Sequence, residues 1–110
     1  MINWQRVNEL RDEIGAEDFL EVVELFLEEV QDVVDRLGSN PDPARFEEDM
    51  HFLKGSAVNL GFQSFADLCA AGEKNSAVGQ TGLVDVPTVI QSYNDSRGVF
   101  LAELDARAAA

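Results

Sequence analysis

Residues 46–61 read FEEDMHFLKGSAVNLG. Phe46, Met50, Leu53, Ala57 and Leu60 recur in steps of four, three, four and three, which makes one apolar face of an α-helix. Gly61 follows as a stop signal. Upstream, Asp42 can cap and Pro43 suits the first helical position, so the helix is predicted over 43–60. At 100° per residue, the chain's only histidine, His51, lies about 140° from the centre of the apolar stripe. It therefore faces solvent. Glu47, Glu48, Lys54, Gly55, Val58 and Asn59 share that side. Lys54 sits one turn on, close enough for its ammonium to reach an anion held on the imidazole. Gly55 costs a helix interior about 1 kcal/mol relative to alanine. Its angle also points away from the core stripe, so it clears an approach beside His51. Val58 adds an apolar spot, and Phe62 extends it past the helix end.

The flanking chain is helical too. Asn3 can cap a helix over 3–14 with Trp4, Val7, Leu10 and Ile14 on one face, ended by Gly15. A longer helix is predicted over 17–37, its stripe being Phe19, Val22, Val23, Phe26, Val30, Val33, Val34 and Leu37. The remainder is mostly acid (Glu21, Glu24, Glu28, Glu29, Asp32, Asp35) and reads as a solvated face. Gly38-Ser39-Asn40-Pro41-Asp42-Pro43 reads as the break. A fourth helix over 63–77 turns Phe65, Leu68, Cys69 and Gly72 inward. After a loop over 78–84, Asp85 can cap a last helix over 86–107, with Ile90, Tyr93, Arg97, Phe100 and Leu104 on one side. The tail Ala108–Ala110 is expected to fray. Nothing alternates with period two. The expected fold is all-α, an up-down antiparallel four-helix bundle with an additional short N-terminal helix, in one domain over 1–110.

Composition narrows the function classes. The net charge is −13 over 110 residues, and a chain that acidic is not expected to bind nucleic acid or an anionic membrane. One cysteine and one histidine cannot supply the usual zinc site, and no metal site is expected. Cys69 reads as a small core residue rather than a nucleophile. Neither a signal peptide nor a membrane span is legible, so the expectation is a soluble cytoplasmic protein, monomeric given its small size and high charge.

The eleven residues His51-Phe52-Leu53-Lys54-Gly55-Ser56-Ala57-Val58-Asn59-Leu60-Gly61 resemble the signature of histidine-containing phosphotransfer (HPt) domains of two-component phosphorelays. Leu68-Cys69 is similar to a pair on that family's next helix, and Glu73 stands where the family often has Glu or Gln. Asn3-Trp4 and the stretch Gly15 to Leu25-Phe26 resemble its first two helices. The resemblance implies that His51 accepts a phosphoryl group from a receiver-domain aspartate on Nε2 and passes it to another response regulator. It implies that Lys54 steadies the phosphoryl oxygens, that Gly55 admits the receiver, and that Glu73 hydrogen-bonds near the imidazole. The receiver would dock on Glu47, Glu48, Val58, Asn59 and Phe62 of the His51 face, with Leu20 and Val23 of the preceding helix. Two positions depart from the family. Gly72 stands where a large apolar residue is usual, which predicts looser packing there. Ala77 stands where a second basic residue is often found.

Neutral imidazole is a nucleophile near pH 7. Phosphoryl transfer needs alignment and charge stabilisation more than covalent work by the protein. With no glycine-rich phosphate loop and no nucleotide motif, the chain is expected to be a phosphocarrier without autonomous turnover. It needs no cofactor of its own, and Mg²⁺ is expected on the receiver. Two alternatives remain at this level. One is a phosphoacceptor domain resembling that of chemotaxis kinases, phosphorylated directly by a histidine kinase. The other is an acidic docking module that transfers nothing.

Overall fold

The computed structural model describes residues 1–109, with side chains described through Leu104. Five α-helices account for most of them: α1 (Trp4–Ile14), α2 (Phe19–Ser39), α3 (Phe46–Leu60), α4 (Gln63–Ala77) and α5 (Val86–Ala109). Single turns of 3₁₀-helix at Pro43–Arg45 and Thr81–Leu83 lead into α3 and out of α4. No strand occurs among the described residues. The expectation of a frayed Ala108–Ala110 tail meets a helix that reaches Ala109, and Ala110 lies outside the described residues.

Helix boundaries follow local chemistry. The Asn3 side chain accepts from the Arg6 N–H at 3.2 Å and caps α1. Asp42 accepts from Ala44 N–H at 3.1 Å, and Asp85 accepts from Thr88 N–H at 3.2 Å and from its hydroxyl at 2.8 Å. At the end of α3, Gly61 has φ 76°, and its N–H donates to Val58 O while Phe62 N–H donates to Ala57 O. That pair of bonds closes a Schellman motif and turns the chain directly into α4. The same turn anchors the N-terminus. Asn3 N–H donates to Gly61 O at 2.7 Å, Gln63 N–H donates to Met1 O at 2.9 Å, and Ile2 and Phe62 form an isolated antiparallel bridge. A Cβ on Gly61 would stand 2.7 Å from the Asn3 carbonyl oxygen, so only glycine allows both the turn and the anchor.

The α3 stripe read from the sequence (Phe46, Met50, Leu53, Ala57, Leu60) is buried throughout. Helix α3 packs against α1, α2 and α4; α4 continues onto α5; α5 returns to α2. Phe62, Phe65, Tyr93 and Phe100 form an aromatic cluster, on which Trp4 stacks against Phe100 with ring centroids 5.8 Å apart. Across the α2–α3 joint, Arg36 donates to both carboxylate oxygens of Asp49, at 3.0 and 2.5 Å.

Several expectations are corrected by packing. Helix α2 does not stop at Leu37 but runs through Gly38 and Ser39, where the Ser39 hydroxyl donates to Asp35 O at 2.9 Å and Asn40 N–H donates to Arg36 O at 2.8 Å. Leu27 joins the buried face of α2, while Val22, Phe26 and Val33 are only half-buried. On α4, Ala66 is buried and Leu68 half-buried. On α5 the buried positions are Val89, Tyr93, Ser96 and Phe100; Arg97 is exposed, and Ile90 and Leu104 flank the core. Gly72 does not loosen α4. A Cβ there would lie 3.0 Å from Met50 Cγ and Sδ, so the Met50 side chain packs directly on the bare α4 backbone.

Candidate functional site

The α3–α4 hairpin brings three side chains together. His51 and Lys54 stand one turn apart on α3, and Glu73 faces them from α4. Glu73 Oε2 lies 2.5 Å from His51 Nδ1, and Glu73 Oε1 accepts from the Lys54 ammonium at 2.5 Å. One carboxylate thus bridges both. Its pKa falls below the ordinary carboxylate value, chiefly through the hydrogen bond from Lys54, against partial desolvation, and further through His51.

An ionised carboxylate only accepts hydrogen bonds, so Nδ1 must carry the proton it shares with Glu73. In a neutral imidazole that leaves the lone pair on Nε2. No described residue bonds Nε2, and the His51 side chain is 72% exposed. The site therefore presents a nucleophilic nitrogen outward, with its ring orientation fixed from behind. Gly55, one turn on, has no heavy atom within 4 Å of where a Cβ would sit. The approach inferred from the sequence is open. The Lys54 ammonium is held beside the ring by Glu73 rather than standing free.

Of the residues expected on the docking face, Glu47, Glu48, Val58 and Leu20 are exposed. Phe52, next to His51, also reaches solvent. Asn59 is half-buried and accepts weakly from Arg6 of α1 at 3.4 Å. Two expected docking residues are not available. Val23 is 2% exposed because it faces the core of α2, and Phe62 is fully buried within the aromatic cluster. Cys69 is buried, and desolvation pushes its thiol up to about 12, so it is no nucleophile at neutral pH. Among the described residues, no three His, Cys, Asp or Glu side chains converge as a metal ligand set would. No described helix is long and apolar enough to cross a membrane.

The Hpt domain family model matches residues 21–110. The chain belongs to the Hpt domain family. Hpt domains are phosphocarrier modules that serve histidine phosphotransfer in phosphorelays and interact with receiver domains. The match begins within α2, runs through α5 and leaves α1 outside, although Met1 and Asn3, just ahead of α1, are hydrogen-bonded to Gln63 and Gly61 of this Hpt domain. No curated protein and no solved structure matches the chain.

The sequence did not reveal the Arg36–Asp49 pair. Its members lie on different helices, and Asp49 stands in the acidic run Glu47-Glu48-Asp49. The signal available was position: Asp49 falls beside Met50, at the margin of the buried stripe.

Proposed function

We propose that this chain is a phosphorelay intermediate in which His51 Nε2 takes a phosphoryl group from the phospho-aspartate of one receiver and delivers it to the aspartate of another. The observation that carries the reading is the Glu73 contact at Nδ1, which leaves Nε2 as the outward lone pair on an exposed ring. In the first transfer, the Nε2 lone pair forms an N–P bond as the P–O bond to the receiver aspartate breaks and that aspartate leaves as a carboxylate. The Nδ1 proton stays in its bond to Glu73, which offsets the positive charge that develops on the ring. The second transfer reverses these steps on a new carboxylate. Lys54 stands beside the ring to meet the phosphoryl oxygens, and Mg²⁺ and the remaining catalytic groups come with the receiver.

In this reading α2–α5 make an up-down antiparallel four-helix bundle with α1 as the additional N-terminal helix. The ring of contacts from α2 through α5 and back to α2 supports it. Receivers dock over Glu47, Glu48, Val58 and Leu20, and Gly55 lets the receiver's aspartate reach Nε2. The chain works as a monomer, in the compartment of its receivers.

The test is incubation with a phosphorylated receiver. Acid-labile, base-stable label should appear on the chain and vanish in His51→Gln. Lys54→Ala should keep the helical spectrum while transfer slows at least ~10-fold, a modest share of what one lost charge-stabilising donor can cost. Equal labelling of His51→Gln would sink the assignment. Labelling by a kinase core that lacks a receiver would instead favour a directly phosphorylated acceptor domain.

A further inference from the structure

We propose that Gly72 is a positioning residue, a spacer that sets the α3–α4 distance at which Glu73 meets His51. Met50 and His51 are consecutive on α3, and Gly72 and Glu73 are consecutive on α4. The two helices run antiparallel from the Gly61–Phe62 turn, so both pairs sit at the same level of the hairpin. Beneath the surface, Met50 is fully buried, and a Cβ on Gly72 would fall 3.0 Å from both its Cγ and its Sδ. Carbon atoms in ordinary contact stand about 3.5–4.0 Å apart. Glycine is therefore what leaves room for the Met50 side chain against the α4 backbone.

One residue further along each helix, that closeness becomes the site. Glu73 reaches His51 Nδ1 with Oε2 and Lys54 with Oε1, both at 2.5 Å. Both partners sit on α3, so outward movement of α4 carries the Glu73 backbone away from both at once. If α4 moves out by the few tenths of an ångström that a methyl group demands, the bond to Nδ1 lengthens and bends. Without that bond the imidazole distributes its proton between both nitrogens, and the fraction with a bare Nε2 falls. The tautomer argument stands on geometry alone. The consequence for transfer rests on the phosphorelay reading.

Gly72→Ala separates spacing from stability, because alanine is the better helix former and its local gain opposes the packing conflict. Gly98→Ala is the control. It makes the same substitution within α5, where no heavy atom lies within 4 Å of the new Cβ. The readout is ¹⁵N NMR of the His51 imidazole at a pH where the ring is neutral. Wild type and Gly98→Ala should show a protonated Nδ1 and a bare Nε2. Gly72→Ala should stay helical by circular dichroism but shift toward a mixture of tautomers, and its transfer rate from a phosphorylated receiver should fall roughly threefold to tenfold. Met50→Ala in the Gly72→Ala background removes Cγ and Sδ and should restore the wild-type tautomer. A Gly72→Ala spectrum identical to wild type overturns the proposal, as does a shift that a folded double variant fails to reverse. Should the double variant not fold, the single-variant spectrum decides. The NMR readout needs no receiver, so a chain that accepts no phosphoryl group would overturn the proposed function and leave the spacing result standing.

Discussion

Removing Arg36 should destabilise the domain more than removing the carboxylate it binds. The Asp49 side chain is 4% exposed and takes two hydrogen bonds from Arg36, whose own side chain is 29% exposed. Arg36→Ala leaves a buried carboxylate with no partner, a loss that typically costs about 3–4 kcal/mol. Asp49→Ala leaves a guanidinium that can turn toward water on its flexible stem, so about 1–2 kcal/mol is expected, the range of lost hydrogen bonds and packing. The asymmetry of about 2 kcal/mol corresponds, at roughly 4 °C per kcal/mol, to a Tm difference of about 8 °C. The double variant should resemble Asp49→Ala, because the stranded charge is gone. Urea unfolding followed by the fluorescence of Trp4, the only tryptophan and stacked on Phe100, reads all four proteins. Equal losses in the two single variants, or losses below about 0.5 kcal/mol in both, would mean that the pair behaves as a surface ion pair and that the burial argument fails.

Three further outcomes follow from single residues. Gly61→Ala should cost at least about 2 kcal/mol and release the N-terminus, because its φ of 76° is strained for alanine and the new Cβ meets the Asn3 carbonyl oxygen; faster hydrogen exchange at the Asn3 amide would report the release, and unchanged protection would refute it. Ser96→Ala should stabilise by up to about 1 kcal/mol, since the Ser96 hydroxyl is fully buried without a partner among the described residues, and a lower urea midpoint would contradict that. Glu73 has a folded pKa lowered from its ordinary 4.5, so its stabilising contribution is full above that value and is lost as pH falls through the folded pKa. Wild type should therefore lose more stability than Glu73→Gln on acidification below pH 4.5, and parallel pH–stability curves would count against the bridge.

Helix α3 was legible because its signals agree. An unbroken apolar stripe runs from Phe46 to Leu60, and a glycine that must turn left-handed ends it at Gly61. The same turn fixes the start of α4 at Gln63, and the observed span Gln63–Ala77 matches the predicted one. Local rules failed where contacts from elsewhere in the chain decide. Gly38 and Ser39 read as a break, but both continue the helix, with the Ile90 side chain of α5 beside Gly38. The α5 stripe was read through Arg97, whereas a serine one residue earlier occupies the core, and serine sends no apolar signal. Val23 is expected on the docking face as a neighbour on the preceding helix, and Phe62 as an extension of the Val58 spot past the end of α3. One looks into the core from α2, and the other is the aromatic plug of the α3–α4 turn. Around His51 the exposed ring, Lys54 and the clearing at Gly55 came from helical angle alone. The bridge through Glu73 depends on the register of two helices, which helical angle does not carry, so only the family resemblance implies it.

The most direct test of His51 as a relay nucleophile is ³¹P and ¹⁵N NMR of the chain after incubation with a phosphorylated receiver. A single phosphoramidate should appear on His51, with phosphorus coupled to Nε2 and the proton retained on Nδ1. Phosphorus on Nδ1, or on any residue of His51→Gln, would contradict it.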